Sequence, residues 1–133
     1  MPNPAATRER AAVTKLQDRA IADALEGLAT ASAVLVEAPT GGGKTRISSR
    51  VIEEFAQAFE KGMGRKPHVL VLQHRDNLAT QSKRAYTEWN PDTKLTTSYS
   101  AGGTVDQSGD ITYAVIDTIA ANLSKVRVPD LVV

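Results

Sequence analysis

Ala33-Val34-Leu35-Val36-Glu37-Ala38-Pro39-Thr40-Gly41-Gly42-Gly43-Lys44-Thr45 is the stretch that decides how this chain reads. An apolar run predicts a buried strand over Val34 to Glu37. A glycine-rich turn follows, and Gly-Lys-Thr then opens an amphipathic helix. Each part has a physical reason. Successive glycines let the backbone turn its N–H groups inward, where a Cβ would hold a phosphate off. The positive end of the next helix favours an anion. Lys44 supplies a mobile cation for β- and γ-phosphates, and the Thr45 hydroxyl suits Mg²⁺. Ala38, Pro39, Thr40, Gly41, Gly42, Gly43, Lys44 and Thr45 are therefore the candidate nucleoside-triphosphate cradle, with Lys44 and Thr45 as its catalytic members. Ala38 stands where the general pattern begins with glycine. The bland alternative is a glycine turn that merely joins a strand to a helix.

Bulk properties bound the answer. The 133 residues suit one domain, and 41% hydrophobic content is enough for a single core. With no cysteine, a disulfide framework and thiolate metal sites are excluded. No apolar run approaches a membrane span. Ala31-Ser32-Ala33 has the look of a signal cleavage site, but the charged Arg19, Asp23 and Glu26 precede it instead of an apolar core. The expected compartment is the cytoplasm, with no membrane partner. Net charge is only +1, so any nucleic-acid contact must be local, and 5% aromatics argue against a base-stacking platform.

Along the chain, Met1 to Pro4 reads as a disordered start, and residues 1–15 as an extension ahead of a domain at 16–133. A helical pattern covers Ala5 to about Ala29, broken near Thr14. Leu16, Ala20, Ile21, Ala24, Leu25 and Leu28 share its apolar face. The second helix runs from Lys44 to about Lys61 on a stripe of Ile47, Val51, Ile52, Phe55 and Phe59, ended by Gly62 and Gly64. His68 to Leu72 predicts a strand buried on both faces. A helix capped by Asp76 or Asn77 continues to Trp89, with Leu78, Ala85 and Trp89 inward. Lys94 to Tyr99 and Ile111 to Ile116 are further strands around a polar loop, Ser100 to Asp110. A short helix over Thr118 to Lys125 and a last strand, Leu131 to Val133, complete the order. Such alternation predicts an α/β fold: a three-layer parallel sheet with helices on both faces. Ligands of such sheets sit beyond the carboxyl ends of the strands. The glycine loop, Gln73-His74-Arg75 and Asp117-Thr118 all belong to that edge.

This order resembles the first RecA-like domain of superfamily 2 DExH/DEAD-type helicases and translocases, in the restriction-subunit and excision-repair-like branch. The likeness covers about Leu16 to Val133 and is most specific at Ala38 to Thr45. Leu72-Gln73-His74-Arg75-Asp76-Asn77-Leu78-Ala79-Thr80-Gln81 looks like the family's motif Ia, which implies His74 and Arg75 near the backbone of the tracked strand. Physically, Arg75 and the following helix N-terminus can hold one phosphate together. Gln17 looks like the upstream glutamine that reads adenine, since a side-chain amide pairs with N6–H and N7. Thr14 stands where the family often has arginine, and Gln17 reads equally as a surface helix residue. In Ala114-Val115-Ile116-Asp117-Thr118-Ile119, family members often place Thr and Gln where this chain has Val115 and Asp117. Thr118, with Ser100, Gly102 and Gly103, completes the expected nucleic-acid contacts.

The resemblance implies the ATP-binding portion of an ATP-dependent helicase or translocase that binds ATP and Mg²⁺. Its partners would be nucleic acid, DNA ahead of RNA, and a second RecA-like domain. The reading expects the domain to be incomplete at its C-terminus, cut just before the Asp-Glu-x-His acids, so whether this chain is itself an enzyme stays open. The alternative is a short P-loop module that binds nucleotide or a helicase partner without turnover. The sequence leaves oligomeric state undetermined.

Overall fold

A computed structural model of the chain describes residues 3–37 and 43–133. Helix α1 spans Pro4–Thr30 without a break. Its start is set by Asn3, whose Oδ1 accepts from the Ala5 N–H at 3.1 Å, and by Pro4 in the first turn. The expected break at Thr14 is therefore absent; Asn3 caps the helix and Pro4 is its first residue. Ile21 and Ala24 are its buried apolar residues, with Ala20, Leu25 and Leu28 beside them, whereas Leu16 is 69% exposed. Gln17 takes the inward position that Leu16 was expected to hold.

Helix α2, Lys44–Met63, carries Ile47, Val51, Ile52 and Ala56 inward and ends at Gly64. Gly62 lies inside the helix. Phe55 and Phe59 are half-buried and stack on each other with centroids 5.8 Å apart. Strand β1 (Val69–Gln73), helix α3 (Asp76–Trp89), strands β2 (Thr97–Ser100) and β3 (Ile111–Val115), helix α4 (Ile116–Ala120), a 3-10 turn at Leu123–Lys125 and strand β4 (Leu131–Val132) follow. The sheet has the order β2-β3-β1-β4 and is parallel throughout.

Alternation along β1 sends its side chains to two different layers. Val69 and Val71 join Ile52 of α2, Tyr86 of α3, and Ile111 and Tyr113 of β3. Leu70 faces the other way, with Ala114 and Ile119. Helices thus cover both faces, as the α/β reading expects, while α1 packs on α2. Each of these large buried side chains contributes about 1.5–3 kcal/mol. Gly109 permits a close approach: a Cβ there would lie 2.6 Å from the Thr97 carbonyl carbon.

Two further expectations fail. Val34 to Glu37 pairs with none of the four strands and is exposed, Leu35 at 83%. Apolar content favours burial, but a strand needs a ladder partner. Val34 instead leans on α1, close enough that a Cβ on Gly27 would come within 2.7 Å of its Cγ2. The inward face of α3 is also one residue off. Ala79 and Tyr86 are buried, not Leu78 and Ala85, and Trp89 is 48% exposed.

Polar bonds cause that rotation. Tyr86 donates its hydroxyl to buried Glu53 of α2, and Thr93 donates to the same carboxylate oxygen at 2.8 Å. Asn90 accepts from Arg50 at 2.7 Å and donates to the Ser49 carbonyl at 3.2 Å. Burial and the Glu53 bond raise the Tyr86 pKa, so the phenol stays a donor.

Candidate functional site

Helix α2 begins at Lys44 after Gly43, and among the described residues its N-terminus has neither a side-chain cap nor an acidic residue in the first turn. Orphan N–H groups there need an acceptor, and the helix dipole favours an anionic one. Lys44 and Thr45 occupy that turn with exposed side chains. Ala38, Pro39, Thr40, Gly41 and Gly42 lie outside the described residues. Gly43 is described, with φ at 76°, a left-handed conformation that favours glycine. A Cβ at Gly43 would also fall 1.9 Å from Gln17 Nε2. Glycine at 43 is required twice, once by its dihedral angle and once by its neighbour.

The fold therefore brings Gln17, from the middle of α1, against Gly43. Gln17 is 9% exposed, which departs from the surface-residue reading. Arg46, immediately after Lys44-Thr45, holds it there. Its Nη1 donates to Gln17 Oε1 at 2.9 Å, its Nη2 donates to Asp18 Oδ1 at 2.8 Å, and its guanidinium lies 5.5 Å from the Trp89 ring centroid. One cation links α1, α2 and α3. Sequence reasoning missed Arg46 and Asp18. The available signal was an arginine directly after Lys44-Thr45, with a Gln-Asp dipeptide upstream.

The second group lies at the carboxyl end of the sheet. Gln73 of β1 is level with Val115 of β3, and Ser100 of β2 is level with Ala114. The segments after these strands therefore emerge together. His74 and Arg75 are exposed, and Arg75 precedes α3, whose N-terminus has no side-chain cap. Asp76 in the first turn partly offsets the field of that helix end. Gly102 and Gly103 form an exposed turn with φ of 61° and 82°.

Thr118 does not share that exposure. It is 5% exposed, and its hydroxyl accepts from the Gly103 N–H at 3.4 Å. Ser100 is fully buried; its hydroxyl donates to the Asp106 carbonyl at 2.9 Å and accepts from the Asp106 N–H at 2.8 Å. The Thr118 hydroxyl holds the Gly102–Gly103 turn, and the Ser100 hydroxyl ties the base of the same loop to Asp106. Asp117 is exposed in the first turn of α4. Among the described residues no group of three His, Asp or Glu side chains is arranged to hold a metal, and no helix is long and apolar enough to cross a membrane.

The family model for the res subunit of type III restriction enzymes matches residues 10–130. The chain belongs to that family. It matches no curated protein and no solved structure. Membership and the all-parallel sheet together identify this res-type chain as a helicase-like RecA-fold domain.

Proposed function

We propose that this chain is the ATP-binding part of a nucleic-acid motor in the restriction-subunit branch. The observation that carries the reading is the placement of Gln17 against Gly43, at an uncapped helix N-terminus flanked by exposed Lys44 and Thr45. A nucleotide at that position finds a cation and helix N–H groups for its phosphates and a side-chain amide for an adenine edge. Thr45 would hold Mg²⁺, which neutralises phosphate charge when bound. Ala38 to Gly42 would complete the cradle. Arg46 orients Gln17 through its bond to Oε1.

On the carboxyl edge, His74 and Arg75 would meet the phosphate backbone of the tracked strand, DNA ahead of RNA. The exposed Gly102–Gly103 turn would lie against the same strand, with Thr118 holding the Gly103 N–H from behind. A second RecA-like lobe would close on the nucleotide.

Calorimetric titration with a non-hydrolysable ATP analogue and Mg²⁺ tests the nucleotide half. Binding is expected in the wild-type chain and about 100-fold weaker in Lys44→Ala. Equal affinity in the two would overturn the reading. Gln17→Ala is expected to reduce discrimination of adenine from guanine nucleotides while leaving phosphate affinity in place.

A further inference from the structure

The chain has one tryptophan, Trp89, which ends α3 half in solvent and joins no buried apolar cluster among the described residues. Its place is nevertheless fixed from both sides. Three residues earlier, fully buried Tyr86 donates its hydroxyl to Glu53 of α2. One residue later, buried Asn90 accepts from Arg50 at 2.7 Å and donates to the Ser49 carbonyl at 3.2 Å. Arg46 stands one helical turn before Arg50 on α2, so with Asn90 on Arg50 the neighbouring indole comes to Arg46. The guanidinium carbon lies 5.5 Å from the ring centroid, within cation–π range, and the Arg46 side chain is only 17% exposed. What this tryptophan covers is a cation.

Arg46 in turn sets the sense of the Gln17 amide. A guanidinium has only donors, so the atom 2.9 Å from Nη1 must be the amide oxygen. The nitrogen is then the atom beside Gly43, where a Cβ would fall 1.9 Å from it. Turning the amide over would set its N–H₂ against the Arg46 N–H, donor on donor. Asp18 takes the other guanidinium nitrogen at 2.8 Å. Bonds to two adjacent residues of α1 define an axis about which the guanidinium can still turn. The indole comes from a separate helix and removes that freedom.

We propose that Trp89 is a positioning residue of the base site: through Arg46 it holds the Gln17 amide in the sense that selects adenine over guanine nucleotides. The role rests on the proposed nucleotide binding beside Gly43. An amide oxygen has two lone pairs, so one shared with Arg46 can also serve the adenine amino group, while the amide nitrogen donates to a ring nitrogen. Guanine carries O6 where adenine carries that amino group, so oxygen meets oxygen. A released amide turns over and donates to O6 instead, and the preference is lost. In this role Trp89 touches no nucleotide, and its loss is felt in discrimination and not in phosphate affinity.

Calorimetry with non-hydrolysable ATP and GTP analogues plus Mg²⁺, and with inorganic tripolyphosphate, tests the role in wild type, Trp89→Leu and Trp89→Phe, each repeated with Gln17→Ala. Trp89→Leu is expected to lower the ATP-to-GTP affinity ratio at least fivefold at unchanged tripolyphosphate affinity. Trp89→Phe keeps a ring face and is expected to retain most of the ratio. With Gln17→Ala already present, Trp89→Leu is expected to change nothing further. An unchanged ratio in Trp89→Leu, a fall that persists beside Gln17→Ala, or a parallel loss of tripolyphosphate affinity would overturn the proposal. A nucleotide-free arm follows the Gln17 side-chain N–H₂ pair by NMR, assigned from its absence in Gln17→Ala. Its protection from exchange is expected in wild type and Trp89→Phe and is lost in Trp89→Leu. An amide released by Trp89→Leu in a chain that binds no analogue sinks the nucleotide reading and keeps Trp89 as the residue that positions Gln17. A wild-type preference for ATP, with ratio and amide both unmoved in Trp89→Leu, sinks the role of Trp89 alone.

Discussion

At the amino end of the sheet, the residues entering the strands are tied side to side: Thr96 to Asp110, Asp110 to Val69, and His68 to Asp130 in both directions. At the carboxyl end, His74 and Arg75 leave β1 exposed, and beyond β2 Gly102 and Gly103 form an exposed turn braced from within by Ser100 and Thr118. One end spends its polar groups on itself, and the other presents them outward. In parallel sheets the carboxyl edge is where ligands bind, so its polar groups must be available. The amino edge has no such demand and can act as a clamp.

Substitutions at the two ends should therefore separate binding from stability. The largest effect is expected from Lys44→Ala: nucleotide affinity falls about 100-fold, equivalent to roughly 2.7 kcal/mol, while the denaturant midpoint stays put. A large stability loss would break the comparison, because it would make this exposed lysine part of the scaffold. Asp130→Asn should do the reverse. Losing the bidentate Arg65 pair and the His68 N–H acceptor is expected to lower the urea midpoint, with nucleotide affinity unchanged.

Acid titration sharpens the second result. The Arg65 bond, with the His68 N–H, holds the Asp130 carboxyl below its usual range. A depressed folded value stabilises the protein above the ordinary aspartate pKa of about 3.9, and that stability is lost as pH falls through the folded value. The stability gap between wild type and Asp130→Asn is thus expected to be full above about pH 4 and to close below it. A gap that stays constant into stronger acid would remove Asp130 ionisation as the cause. The smallest effect is expected at Arg75. Arg75→Ala should weaken single-stranded DNA binding a few-fold and lower the salt slope by about one, because one phosphate contact is removed. An unchanged salt slope would show that the carboxyl edge presents Arg75 to something other than phosphate.

What the sequence made legible follows from how each feature is encoded. The helix starting at Lys44, the strands at Val69 and Ile111 and the parallel order rest on local apolar patterns, which adjacent residues carry. The inward face of α3 was read one residue off because Tyr86 is anchored through its hydroxyl to Glu53, a partner thirty-three positions away. Pattern reading assigns Trp89 inward on apolarity, yet its ring stands outside under the Arg46 guanidinium. Val34 to Val36 has strand composition, but composition does not supply a neighbouring ladder. Gln17 was nameable only through family likeness, while its bond to Arg46 joins residues from two helices and has no local signature. The His68 group, with Gln107, Arg127 and Asp130, is assembled from three separate segments, so its contacts are visible only in three dimensions.

The strand order also dictates a schedule of assembly. β1 sits between β3 and β4, and both of its partners come later in the chain: Val69 pairs with Ile111 on one side and with Leu131 on the other. During synthesis, the central strand must wait unpaired until each neighbour has emerged. β2 and β3, which are close in sequence, can meet first. Closing the long loops to β1 precedes any ladder energy that rewards it, so insertion of Val69-Leu70-Val71-Leu72 should be the slow step. Until it occurs, four consecutive apolar residues are left open to a neighbouring chain, and the exposure to misassembly is set by topology alone.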